Sequence, residues 1–286
     1  MRRFKIGIGV VAAATAVMLL AWTWPEGRDP SGDDHGTETA ASASPSAEAA
    51  APTAGTGPSP EGAESSPAER APSPQPTAES PVPARDPHGG PMGTRDRTGS
   101  NSVALTFDDG PDPNWTPRVL AELRERGVKA TFCVIGAYAE AHPDLIADIV
   151  HDGHTLCSHT WFHELDLGER STEEIRANLQ RTNDAIEKAV PGADVAYFRH
   201  PGGKWTDRAV RVAADMGMES LHWDVDPSDW DRGVSEAQIR DHVADRTEPG
   251  SIVLLHDGAS NQAHMFGALS SILDEFEHRD YAMAAL

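Results

Sequence analysis

"VALTFDDGPDP", residues 103–113, is the stretch on which the fold turns. "VALTF" is an apolar run of strand length, ended by two aspartates and a Gly-Pro turn. Then comes "TPRVLAELRERG" (116–127), where Val119, Leu120 and Leu123 share one helical face and Gly127 is a stop signal. The same unit recurs along the chain. "ATFCVIG" precedes "PDLIADIVHDG", and "HTLCSH" precedes "STEEIRANLQRTNDAIEKAV", in which Ser171 and Glu174 have the capping-box spacing. "VAYF" (195–198) leads to a helix starting near Thr206, "ESLHW" to one at Ser235 with Gln238 three residues on, and "SIVLLH" to the last helix; "YAMAAL" closes the chain. Seven strand candidates, six of them followed by helices, predict an α/β domain with a parallel sheet flanked by helices. Periodicity leaves an open sheet and a barrel equally possible.

Polar residues cluster at the ends of these apolar runs. Asp108 and Asp109 follow the first, His159 and His163 the third, and Arg199 the fourth. Asp226, Asp229 and Trp230 follow the fifth, and His256 ends the sixth. In βα folds the C-terminal ends of parallel strands share one face, where active sites are built. Five of seven strands therefore deliver chemically capable side chains to one rim, a bias that scattered surface charge does not produce.

Each cluster suggests a task. His159 and His163, four apart in "CSHTWFH", can face one another across a single helical turn. With one aspartate of "TFDDG" they make a three-ligand metal set with a position left open for water. A metalloprotease needs Glu directly after the first His, and Thr160 stands there, so a base must come from elsewhere; Asp108 is the candidate. A buried Arg199 beside Asp108 would fix that carboxylate's orientation. The glycines of "RHPGG" let a backbone N–H approach a ligand closely. Trp230 in "DVDPSDW" is placed to stack on a sugar face, and Leu254, two residues before His256, to line a small pocket.

The rest of the chain has another character. Arg2, Arg3 and Lys5 precede the uncharged apolar run 6–24, which has the form of an N-terminal signal anchor, or of a signal peptide if it is cleaved (residues 1–24). The basic residues place the N-terminus in the cytoplasm and the remainder outside, an extracytoplasmic location. Residues 25–100 contain no Phe, Trp, Tyr, Leu or Ile and read as a disordered Ala/Pro/Ser/Glu-rich linker. The folded unit is then 101–286. It holds 16 Lys and Arg against 33 Asp and Glu, and so carries −17 of the chain's −21. Such a surface argues against nucleic acid and anionic lipid as partners and suits a neutral substrate with a locally bound cation. The membrane is then contacted through the N-terminal segment only, and the protein is expected to be a monomer. Cys133 and Cys157, each in an apolar run, are expected as buried free thiols, although an exported location leaves a disulfide between them possible.

"TFDDG", "HTWFH", "RHPGG", "DPSDW" and "LLH" occur in the order and spacing of the polysaccharide deacetylases, the family 4 carbohydrate esterases, which residues 101–286 resemble nearly throughout. The resemblance implies a distorted (β/α) barrel of about seven parallel strands and removal of acetyl groups from carbohydrate with one divalent metal, usually zinc. It assigns Asp109, His159 and His163 to the metal and Asp108 to the general base, oriented by Arg199. His256 becomes the general acid and Asp229 the carboxylate that tunes it. Gly202 supplies an oxyanion N–H, and Trp230 and Leu254 wall the pocket for the acetyl methyl. A GlcNAc-containing polymer, peptidoglycan or a chitin-like oligosaccharide, is the implied substrate. The alternatives are an O-acetyl esterase on acetylated xylan and an inactive carbohydrate-binding domain. Members often carry proline and then an aromatic where this chain has His200 and Gly202, so one wall of the groove differs.

Overall fold

The computed structural model describes residues 86–286. Its centre is a six-stranded, all-parallel sheet in the order β5-β4-β3-β2-β1-β6. The strands are β1 (Ala104–Asp108), β2 (Thr131–Val134), β3 (Thr155–Ser158), β4 (Val195–Phe198), β5 (Glu219–Ser220) and β6 (Ile252–His256). β1 and β2 are buried along their whole length, which is why they read as unbroken apolar runs rather than alternating ones. Ala104 faces inward, into a cluster with Cys133, Cys157, Tyr197, Leu221 and Ile252. Leu105 and Phe107 face outward, into the larger core under the helices, where Phe107 stacks on Phe132 at 5.2 Å.

The connecting helices are α1 (Thr116–Glu125), α2 (Gly136–Ala141), α3 (Pro143–His151), α4 (Thr172–Ala189), α5 (Asp207–Asp215), α6 (Glu236–Arg246) and α7 (Gln262–His278). The capping boxes at Ser171/Glu174 and Ser235/Gln238 both form and fix the starts of α4 and α6. Such N-caps contribute about 1 kcal/mol each.

The sheet curls until its two edges meet through an irregular segment. Val225, beyond β5, makes a parallel bridge to Val253 of β6, and the Leu254 N–H donates to the Val225 carbonyl at 2.9 Å. The result is a distorted (β/α) barrel with six strands rather than seven. "YAMAAL" is not a seventh: it contributes one bridge, Met283 to Val103. β1 is already paired on both sides, by β2 and β6, so the closing segment finds no free edge along it.

Two further expectations need correction. Residues 86–100, placed by composition in the linker, are part of the folded unit. Arg95 bridges to Leu221 and Arg97 to Ser251, across the seam between β5 and β6. Glu219 pairs with His88 and Arg95, both at 2.9 Å, and Asp224 with Arg97 at 3.2 Å. The segment has little apolar surface of its own to bury; polar ties to an existing edge order it instead. Residues 1–85, on which the expected signal anchor or signal peptide and most of the expected linker fall, lie outside the described residues. Cys133 and Cys157 are not free thiols. They are register partners on β2 and β3 and form a disulfide inside the barrel.

Candidate active site

The site is built where the strands end. Asp108 closes β1 and His256 closes β6, and the two are register partners across that pair. Directly after Asp108, Asp109 turns the chain with φ 71°. Gly110 must lack a side chain, because a Cβ there would lie 2.5 Å from both carboxylate oxygens of Asp257.

Arg199 follows β4 and is wholly buried. Its Nη1 donates to Asp108 Oδ1 at 2.7 Å and to Thr106 Oγ1 at 2.8 Å. Its Nε and Nη2 reach the carbonyls of Leu221 at 3.2 Å and His222 at 3.1 Å. A planar guanidinium held at four acceptors fixes the Asp108 carboxylate in one orientation, with Oδ2 turned to within 3.6 Å of His159 Nε2.

The two histidines do not sit on a helical turn. His159 follows β3 directly, and the chain then runs through a non-helical turn in which Thr160 and His163 take left-handed φ values of 66° and 60°. Such conformations cost non-glycine residues on the order of 1 kcal/mol each. They bring the imidazoles together with ring centroids 5.2 Å apart. His159 Nδ1–H donates to the Arg199 carbonyl at 2.8 Å, which leaves its Nε2 lone pair directed at the centre.

Asp109 Oδ1 lies 3.4 Å from His159 Nε2 and 3.3 Å from His163 Nε2, and the three ligand atoms fall within 4.8 Å of one another. That oxygen is buried and makes no hydrogen bond. Burial would raise the Asp109 pKa, but the facing imidazoles, His159 foremost, hold it down to about 2. A buried, charged oxygen without a hydrogen bond, converging with two imidazole nitrogens, is a donor set that fits a divalent cation of the zinc type.

His256 stands opposite. Its Nδ1 is 2.8 Å from Asp229 Oδ1, and its backbone N–H donates to Asp229 Oδ2, also at 2.8 Å. Burial opposes the imidazolium, but the Asp229 carboxylate outweighs it and, with Asp108 and Asp109 nearby, lifts the His256 pKa to about 9. Asp108, His159, His163, His256, Gly202, Trp230 and Leu254 all line one pocket of about 140 Å³. Trp230 is half exposed at its mouth, whereas Leu254 is buried in its wall. Gly202 has φ 61° in the short turn Pro201–Gly203, a conformation that suits glycine, and Leu165 closes over it.

The ten residues given roles from the sequence thus come together on one rim. Two lining residues had been given no role, Trp223 and Asp226. Trp223 packs beside Arg199, whose guanidinium lies 5.6 Å from its ring, and against Gly203. Its place at the end of "ESLHW", on the same rim, was the available signal. His200 is buried and structural: its Nε2 accepts the Gly168 N–H at 3.0 Å while its Nδ1–H donates to the Pro201 carbonyl.

A parallel α/β barrel with an Asp/His/His donor set flanked by a carboxylate and a carboxylate-held histidine is an arrangement chemically suited to metal-assisted hydrolysis. The polysaccharide deacetylase family profile matches residues 95–221. A chitooligosaccharide deacetylase of Sinorhizobium fredii is 41% identical over 202 residues, covering 67% of this chain and 93% of that protein. A peptidoglycan-N-acetylglucosamine deacetylase of Bacillus cereus is 35% identical over 181 residues, 63% of this chain and 83% of that one. Among solved structures, a family 4 pseudoenzyme from Bacillus anthracis superposes with a TM-score of 0.62 at 28% identity, over 68% of this chain and 67% of that one. The chain belongs to the polysaccharide deacetylase family, which holds chitooligosaccharide and peptidoglycan deacetylases as well as a pseudoenzyme. Because the fold also occurs in a pseudoenzyme, activity has to be argued from the residues present.

Proposed function

We propose that this protein hydrolyses N-acetyl groups from a GlcNAc-containing polysaccharide, peptidoglycan or a chitin-like oligosaccharide, with zinc held by Asp109, His159 and His163. One observation carries the proposal: the candidate base Asp108 and the candidate acid His256 are neighbours across β1 and β6 and open into one pocket beside the donor triad. A binding module needs neither group.

When bound, a divalent cation supplies Lewis acidity, lowering the pKa of water and polarising a carbonyl. The chain's own residues do the rest. Asp108, fixed by Arg199, takes a proton from the attacking water as its oxygen bonds to the acetyl carbon. The N–H of Gly202, a residue of the pocket wall, would donate to the developing oxyanion. His256, protonated at neutral pH and held through Nδ1 by Asp229, gives its Nε2 proton to the amide nitrogen. The C–N bond then breaks, yielding acetate and a free amine. Leu254 and Trp230 offer the acetyl methyl an apolar wall.

An extracytoplasmic setting belongs to the same proposal. The basic residues and apolar run at the N-terminus support it, as does the Cys133–Cys157 disulfide, a bond that persists in oxidising compartments. The test is acetate release by the full chain from a panel of acetylated glycans. Release from chitin oligosaccharides or peptidoglycan, abolished by chelator and restored by Zn2+, is expected. No release from any GlcNAc polymer in the presence of Zn2+, with release from acetylated xylan instead, would overturn the substrate assignment.

A further inference from the structure

The two histidines of the triad are held differently. His159 is buried and pinned through its own ring, whereas the His163 ring has no hydrogen bond among the described residues and is about one-third exposed. Its orientation must therefore come from the backbone of the turn 160–163, which is itself in an unfavourable conformation at Thr160 and His163.

The Thr160 and Trp161 carbonyls of that turn accept the Gly136 and Ala137 N–H groups at the start of α2, at 2.9 and 3.0 Å, whereas side chains satisfy its N–H groups. The Trp161 N–H donates to Asn178 Oδ1 at 2.9 Å, and the Phe162 N–H to Glu164 Oε2 at 2.9 Å. The Glu164 N–H donates to Thr160 Oγ1 at 3.1 Å. Asn178 Nδ2 donates to Glu164 Oε1 at 2.8 Å and joins the two halves. This is the only amide orientation that meets both the Trp161 N–H and the carboxylate. Asn178 belongs to α4, an 18-residue helix with its own capping box, so the network ties the turn to a rigid element. Neither Glu164 nor Asn178 lines the pocket.

We propose that Glu164 and Asn178 form a clamp that sets His163 as a cation ligand. They are positioning residues, acting only through the turn. The proposal rests on the metal site assigned above. Partners that orient a metal ligand from outside the coordination shell are typically worth 10–100-fold in metal affinity.

The polarity of the clamp supplies its test. Asn178→Asp sets two carboxylates face to face and is expected to weaken Zn2+ binding about 10–100-fold. Adding Glu164→Gln restores a donor–acceptor pair with the direction reversed, since the amide introduced at position 164 can donate its N–H to the carboxylate introduced at position 178 while its oxygen accepts the Phe162 N–H. Most of the lost affinity should return. The readout is the Zn2+ dissociation constant of the full chain, measured by competition with a chromophoric chelator, with the thermal midpoint of the metal-free protein taken on the same samples. A lowered midpoint with unchanged Zn2+ affinity would make the network merely structural and overturn the proposal, as would a double variant no better than Asn178→Asp. Should Asn178→Asp not fold, Glu164→Gln alone decides, because its amide must face one donor and lose one bond; unchanged affinity there overturns the clamp. Failure of the unaltered chain to take up Zn2+ would overturn the metal site, and the clamp with it.

Discussion

Replacing Asp108 with asparagine separates the roles assigned to the two neighbouring aspartates. In the folded protein Asp108 Oδ1 accepts from Arg199 at 2.7 Å, with both side chains almost fully buried. Breaking a buried ion pair by removing one charge costs about 3–5 kcal/mol. Arg199 keeps Thr106 Oγ1 and the carbonyls of Leu221 and His222, and the asparagine oxygen can still accept, so the low end, about 3 kcal/mol, applies. For a domain of this size each kcal/mol moves the midpoint about 2–4 °C, giving a fall of roughly 6–12 °C. Turnover should fall by about 10²–10⁴-fold, the worth of a general base. The donor triad is untouched, so Zn2+ should remain bound. The assays are acetate release under saturating substrate, bound zinc per protein, and scanning calorimetry. Wild-type turnover in this variant would refute Asp108 as base. Loss of zinc together with turnover would refute the division of labour and make Asp108 a ligand.

Three other outcomes follow from the geometry. His256→Ala should reduce hydrolysis of amide substrates far more than that of activated acetyl esters, whose leaving group needs little protonation; equal losses would remove His256 as the acid. Asp229→Asn deletes the carboxylate that lifts His256 to about 9, so the alkaline limb of kcat/KM should move to lower pH, by about 1–2 units, and an unmoved limb would sever that link. His154 is buried with its pKa pushed down to about 4, by burial first and Lys129 second, and its Nδ1 accepts the Ala130 N–H. A folded pKa below the unfolded 6.5 means that this stability is complete above pH 6.5 and is lost as pH falls towards 4. The loss is up to about 3 kcal/mol. Urea unfolding at pH 7.5 and pH 5 should show a smaller difference for His154→Gln than for the wild type, and equal differences would count against neutral burial of this ring.

Much of the site was legible because parallel strands buried on both faces leave long apolar runs, and the first polar residue after each run marks the rim. Asp108, His159, Arg199 and His256 were found in that way, and each stands at a strand's end. What escaped depends on contacts between distant segments. The disulfide needed the register of β2 on β3, which neither strand specifies alone. Trp223, and a wall position for the rim residue Asp226, emerged only through the irregular path by which the chain beyond β5 returns to β6. The spacing of His159 and His163 suggested a helical turn, yet the intervening residues follow another path, satisfied by Glu164, by Asn178 from α4 and by the Gly136 and Ala137 N–H groups of α2.

The order of apolar runs, helix caps and rim residues was determined by the sequence alone, because propensity, periodicity and capping act over a few neighbouring residues. The closure of the barrel, the ordering of residues 86–100 and the convergence of Asp109, His159 and His163 on one point were decided by the tertiary structure. These are distances between segments far apart along the chain, set by strand curl and by side chains that satisfy one another's backbone, and no local pattern encodes them.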